Sequence, residues 1–431
     1  MPLWMCDMPD AEAYDEARDL SIQLELQSFL ATIDLEALAR RASAVRGDRI
    51  ACAVATPNFD KDSLSSAMGN VNYHVELRFD DGVCWIARIK RQNASTPPAP
   101  VRDYMIQSEA ATYSFLARTK VPAPRVFEVV LGADNLVGAG YILMEKIPGK
   151  PLTSIPKSPE QKRKVLGQLA SVYAELEKHP FPAIGSLDEI GTDHVGPLAS
   201  ELLADLNETR PNLLGSFSTS AAYYEAMITR VLGLITSGQL YPLWAVDAFL
   251  IHRFLLDLVP QLSLPTSAPT EGHGSREEHF LRHADDKGDH ILVDDEFNIT
   301  GIIDWEWAYT APKSEAFSSP MALWNVGDFF EGENRLSEHE KLFAELLDAQ
   351  QCENETDSCL GRYVREGRKW QRFRFCAGYE IYDWDWENYK ALFEGLRKVF
   401  DVDAEMSWED WKAQALDRYR NDTQLGALLD A

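Results

Sequence analysis

Hydrophobic and polar positions change their period several times along the 431 residues. Up to about residue 46, Leu20, Leu24, Leu26, Phe29, Leu30, Ile33, Leu35 and Leu38 recur at mixed helical spacing, which predicts helix. At Val71 the period drops to two. Val71, Tyr73, Val75, Leu77 and Phe79 alternate with Asn72, His74, Glu76 and Arg78, the pattern of a half-buried strand. Asp80-Asp81-Gly82 is a hairpin turn, and Val83 to Ile89 returns as a second strand. Pro97-Pro98-Ala99-Pro100 breaks the chain before a helix from about Val101 to Arg118, with Met105, Ile106, Ala110, Tyr113 and Leu116 on one face. Val121 to Val126 turns into a strand, and Tyr141 to Ile147 is an apolar strand stopped by Pro148-Gly149.

The second half is mostly helical by pattern. Ser158-Pro159-Glu160-Gln161 reads as a capping-box start to a helix carrying Val165, Leu169, Val172 and Leu176. Residues 186 to 262 continue as helix, with a polar break near Gly215 to Ser220, and Leu264 to Glu278 reads as a Pro-, Ser-, Thr- and Gly-rich loop. Pro312 and Pro320 mark another loop, and Ser337 with Glu340 starts a further helix. Arg362, Arg365, Arg368, Lys369, Arg372 and Arg374 interleave with aromatic residues. That pattern suits either a nucleic-acid face or, as preferred here, an amphipathic helix laid on the core.

Chemistry concentrates in His283 to Trp307, HADDKGDHILVDDEFNITGIIDWEW. Ile291-Leu292-Val293 and Ile299 to Ile303 are short β-rich runs, and Asp294 to Asn298 between them is a turn by composition. A hairpin brings its open ends together, so His290 faces roughly Asp304 and Asp285 can converge with Asp304. Acids delivered in this way suit a divalent metal and a general base. Taken singly, each acid is an ordinary turn former or cap. Their combination in one unbroken run is what points to a site.

This run resembles the catalytic segment of the aminoglycoside phosphotransferase and choline kinase-like family, an H-x-D-x-x-x-x-N loop, a hairpin and a following Asp. The resemblance covers roughly residues 65 to 330. It implies an α+β, protein-kinase-like fold of two lobes, a small antiparallel sheet and a larger, mainly helical lobe. Residues 1–60 would be a helical extension, 61–148 the nucleotide-binding lobe and 149–431 the catalytic and substrate-binding lobe. It also implies ATP and Mg²⁺ as cofactors and transfer of the γ-phosphate to a small-molecule hydroxyl. Asp285 would be the catalytic base, His283 a structural member of the loop and Asp304 the Mg²⁺ ligand. Arg88 would hold the phosphates with Glu109 as its ion-pair partner, and Lys90, on the same strand face, is its rival. Backbone around Glu145 to Ile147 would bind adenine, and Ala67 to Asn70 stands where a phosphate-covering loop would be, with one glycine. One position departs: the family's metal-binding Asn is His290, and an imidazole is a poor ligand for Mg²⁺.

Two other readings stand beside this one. A non-phosphorylating relative that binds nucleotide or ligand would account for His290, the lone glycine and Arg at a position that is often Lys. A metal-dependent hydrolase would use His283, Asp285, Asp289 and His290 as ligands.

Composition narrows the partners. With 42 basic and 68 acidic residues the net charge is −26, which argues against nucleic acid or an anionic membrane and is compatible with a cationic substrate. Six cysteines without a C-x-x-C pair fit reduced thiols in a cytoplasmic protein. The acidic N-terminus does not read as a signal peptide, and no run approaches the length of a membrane span. Tyr382 to Glu387 joins acids to aromatics, which suits an ammonium ligand or plain core packing.

Overall fold

A computed structural model of the chain describes residues 11–47, 50–55, 71–91, 96–200, 212–262, 277–351, 359–378 and 386–430. The Ala67 to Asn70 segment, most of the loop from Leu264 and the acidic-aromatic run up to Asp385 lie outside these residues.

Helices α1 (Ala11–Thr32) and α2 (Leu35–Arg46) precede a five-stranded antiparallel sheet. Its strands are β1 (Cys52–Val54), β2 (Asn72–Phe79), β3 (Cys84–Lys90), β4 (Val126–Val130) and β5 (Tyr141–Glu145), in the order β1-β2-β3-β5-β4. The alternation in β2 works as the sequence predicts. Tyr73, Val75, Leu77 and Phe79 are buried with Trp85, Ala87 and Ile89 of β3, and Leu26, Phe29, Ile33 and Leu38 pack against them in one cluster. The first two helices therefore cover one face of the sheet and belong to the small lobe's core. The opposite face receives α3 (Ala99–Leu116), whose Ile106, Ala110 and Tyr113 join Ile142 and Met144 of β5.

After β5 the chain passes through Pro148-Gly149 into β6 (Lys150–Pro151), which pairs with the catalytic hairpin in the order β11-β10-β6. Gly149 has φ +127°, and a Cβ there would lie 2.6 Å from Thr300 Oγ1, so only glycine fits this crossing. The large lobe begins with α4 (Pro159–Leu176). Ser158 makes no side-chain cap, so the capping box read there is not formed, although Pro159 does occupy the first turn. A two-strand hairpin, β7 (Ser186–Leu187) and β8 (Val195–Gly196), interrupts the stretch read as helix. Helices α5 (Ser220–Thr236) and α6 (Ala245–Leu262) follow and pack together.

The site-bearing strands come next: β9 (His279–Arg282), β10 (Ile291–Val293), β11 (Ile299–Ile302) and β12 (Tyr309–Pro312). β9 pairs with β12, so the segment expected to begin a loop at Pro312 ends a strand instead. Short helical turns at Lys313–Ala316, Met321–Leu323 and Val326–Phe330 follow, and the longer helices after them are α7 (Glu338–Gln351), α8 (Leu360–Glu366), α9 (Arg368–Ala377), α10 (Trp386–Phe400), α11 (Trp408–Arg418) and α12 (Thr423–Leu429). At the start of α7 the capping box is complete: Ser337 N–H donates to Glu340 Oε2 at 2.8 Å and Glu340 N–H to Ser337 Oγ at 3.1 Å. One large core unites α3 to α12 with β9 to β12.

Candidate active site

The hairpin register sets the geometry. Ile291 pairs with Ile302, and Ile303 N–H donates to the His290 carbonyl at 2.9 Å, which lays the 283–290 loop beside Ile303 to Trp307. In that second segment Asp304 has φ +64° and Trp307 φ +60°. Left-handed backbone is uncommon outside glycine and least expected of a bulky ring, so this turn is held by its surroundings. Part of the hold is visible. The Asp304 amide donates to Tyr113 Oη at 3.2 Å, Trp305 Nε1 donates to the Ile302 carbonyl at 2.9 Å, and Trp305 is buried.

Arg88 is where the two lobes meet. Its Nε lies 3.0 Å from Glu109 on α3, and its Nη2 pairs with both Asp304 and Glu306, the latter at 2.7 Å. Its Nη1 donates to His74 Nε2 at 3.1 Å. Lys90, its rival on the same strand face, joins the same cluster: Lys90 pairs with Glu306, to which Asn72 Nδ2 also donates at 2.6 Å. Glu306 escaped the sequence reading, since an acid between two tryptophans gives no periodic sign of facing inward.

These contacts shift the titrations. Burial by itself would raise the Asp304 carboxyl, but the Arg88 guanidinium outweighs it and holds the group below the usual carboxylate range. Glu109 goes the other way, its burial pushing it up against the pull of Arg88. Arg88 stays charged: burial opposes that, while Glu109 and Asp304 favour it more strongly.

Asp285 is one-third exposed and accepts from Lys287 Nζ at 2.7 Å, with Asp289 3.7 Å from the same ammonium. Burial would lower the Lys287 pKa, but its hydrogen bond to Asp285 and the charges of Asp285, Asp289 and Asp304 raise it. Lys287 thus feels both acids that the sequence brings together, and it too went unread. The neighbouring Asp286 anchors the loop from below, accepting from Arg282 Nη2 and from the Met321 amide, each at 3.0 Å.

His290 is placed differently from its expected role beside the metal. It is 7% exposed, its ring stacks on His283 at 4.2 Å, and it lines a cavity of about 30 Å³ with Leu169, Val172, Ile302 and Trp305. Burial first, and then the neighbouring His283 and Lys287, push its pKa far down, so the ring is a neutral core group. His283 donates from Nε2 to the Ile303 carbonyl at 2.9 Å and makes an edge contact with Trp305, which ties the loop to the hairpin. Among the described residues no group of three or more His, Cys, Asp or Glu is arranged to hold a metal ion. The four-residue hydrolase centre therefore does not assemble: its imidazoles are committed to the core and its acids to Lys287. Around the expected hinge, Glu145 N–H donates to the Arg125 carbonyl at 2.8 Å and Lys146 N–H to the Cys84 carbonyl at 3.3 Å. Two main-chain donors there are thus engaged in the sheet. Ile147 packs over Gly301, whose missing side chain makes the room.

Residues 64–313, more than half of the chain, match the phosphotransferase enzyme family. A subtelomeric hrmA-associated cluster protein of Aspergillus fumigatus is 36% identical over 129 residues, 29% of this chain and 24% of that protein. The match therefore spans about a quarter of that relative's length. Among solved structures, a Ralstonia eutropha protein assigned to the aminoglycoside phosphotransferases is 15% identical, with a TM-score of 0.47 over 92% of this chain and 97% of that one. A thermostable aminoglycoside phosphotransferase mutant in ternary complex with AMP-PNP and hygromycin B is 14% identical, with a TM-score of 0.40 over 85% and 99%.

Proposed function

Because this chain belongs to the phosphotransferase enzyme family, we propose that it transfers the γ-phosphate of ATP to a hydroxyl of a small molecule. The observation that carries the reading is the linked set Glu109–Arg88–Asp304, beside which hydrogen bonds between Ile303 and both His283 and His290 lay the loop that carries Asp285. Phosphoryl transfer asks the protein for positioning and charge stabilisation more than for covalent chemistry, and this set offers both.

In this reading Asp285 accepts or orients the acceptor's hydroxyl proton, Arg88 holds phosphate oxygens, and Glu109 fixes the guanidinium in place. Asp304 suits Mg²⁺: it is a carboxylate kept ionised by Arg88 and 42% exposed, and a hard cation prefers such oxygen. His290 does not fit that ion, so the metal would rest on Asp304, the nucleotide and water. Bound Mg²⁺ supplies charge neutralisation at the transferring phosphate. The acceptor is a small alcohol, and the acidity of the chain favours a cationic one.

The burial of His290 favours a second reading, a protein that binds nucleotide without turnover. Thermal unfolding with ATP, Mg²⁺ and both tests binding, since a ligand of the native state raises stability by RT ln(1 + [L]/Kd). A rise that requires both together supports the phosphotransferase, a rise with nucleotide alone favours the binder, and no response to either sinks both. For turnover, Asp285→Asn should cut transfer to an acceptor found by screening about 10²- to 10⁴-fold with unchanged unfolding. Persistent transfer by that variant would remove Asp285 from the mechanism.

A further inference from the structure

Glu306 is 1% exposed, and its donors come from the other lobe: Asn72 from the start of β2, and Arg88 and Lys90 from β3. Asn72 and Lys90 are partners across the β2–β3 ladder, so these two donors stand side by side. An amide, a guanidinium and an ammonium converging on one carboxylate form the donor set that recognises a phosphate oxygen. Arg88 Nη2 is moreover shared between Glu306 and Asp304, so an arriving anion must compete with a carboxylate already in place.

We infer that Glu306 is a resident anion, an internal stand-in for a phosphate that the nucleotide must displace. The small lobe carries the anion site, and the large lobe fills it through the strained turn of Asp304 to Trp307. The cluster holds two cations, Arg88 and Lys90, against three carboxylates, Glu109, Asp304 and Glu306. A polyphosphate arriving alone meets cations that are already neutralised. A divalent cation that draws Asp304 away leaves Arg88 with one competitor fewer, so metal and nucleotide bind together. The identification of the displacing anion as a nucleotide rests on the phosphotransferase reading; the occupied anion site does not.

The test uses the full chain and two probes, tripolyphosphate and ADP, each with EDTA and with Mg²⁺, followed by calorimetry for wild type and Glu306→Gln. Loss of the resident charge should tighten metal-free tripolyphosphate by about tenfold, the equivalent of one charge-assisted hydrogen bond regained. The advantage conferred by Mg²⁺ should shrink in the same variant. Equal or weaker tripolyphosphate binding by the variant overturns the inference and makes Glu306 a permanent strut, even where wild type binds Mg²⁺ and ADP as the functional reading requires. A gain for tripolyphosphate with no ADP binding in either protein upholds the anion site and sinks the phosphotransferase reading instead. Glu306→Gln leaves two buried cations short of a partner, so a second measurement uses wild type alone. Hydrogen exchange at the amides of Trp305 to Trp307 should quicken when saturating tripolyphosphate is added with Mg²⁺; unchanged or slower exchange there overturns the inference if the variant does not fold.

Discussion

His290 occupies the position at which the sequence resemblance expects a metal-binding amide, and the structure turns it into a packing residue. Its ring fills space against His283 and Trp305, so His290→Asn should open the existing cavity without creating a ligand. The expected outcome is a loss of about 1–3 kcal/mol in denaturant unfolding and no gain in kcat. A faster variant would mean that the asparagine reaches the metal after all. The same burial has a pH signature, shared with His252, whose pKa burial lowers to about 4. Both imidazoles are neutral in the fold, while in the unfolded chain they take up protons near pH 6.5. The unfolded state therefore binds more protons in this window, and stability falls as pH drops from about 6.5 toward 4. His252→Leu should flatten that slope in urea titrations at successive pH values. A slope equal to the wild type's would assign the acid sensitivity to other groups.

At the scale of elements, the parts that were legible are those whose signal is local. Alternation found β2 and β3, the turn composition found the β10–β11 hairpin, and Ser337 with Glu340 found the start of α7. β9 and β12 were missed because each has four residues, their pairing spans the whole catalytic stretch, and Pro312 argued for a loop. The family resemblance led to Arg88 and Glu109, whereas Glu306, Lys287 and Asn72 take their meaning from contacts that no spacing announces. The basic-aromatic run shows a subtler gap. It forms two helices on the core, α8 and α9, and its arginines divide: Arg362 and Arg365 are exposed, whereas Arg368 and Arg372 are buried and structural. Arg372 in α9 is fully buried, and its guanidinium donates to the carbonyls of Phe329 and Glu333 and to Asn334 Oδ1. A planar fork with three separate acceptors has no equivalent in an ammonium. Arg372→Lys should therefore cost about 2–4 kcal/mol, close to the cost of Arg372→Met, with the ends of α9 losing hydrogen-exchange protection first. A lysine variant as stable as wild type would show that charge alone suffices there.

The whole molecule imposes a field of its own. With a net charge of −26, the cations that a nucleotide needs are few, sequestered and already paired, so long-range forces repel the ligand that the site is argued to take. Association must then depend on screening. At low ionic strength the Debye length reaches about 30 Å, comparable to a domain, whereas at about 0.15 M it contracts to roughly 8 Å and the approaching anion feels mainly the local cluster. The association rate of ADP with Mg²⁺, measured by stopped flow, should therefore rise between about 0.01 and 0.15 M KCl. A cationic acceptor should show the opposite trend, its kcat/KM falling over the same range, because the field that repels the nucleotide steers the amine. A neutral acceptor should be nearly indifferent to salt. These slopes report the sign of the charge on the incoming molecule before its structure is known. An acceptor whose kcat/KM rose with salt would be an anion, and the reading of the acidic surface as a guide for cations would have to be given up while the phosphotransferase chemistry stood.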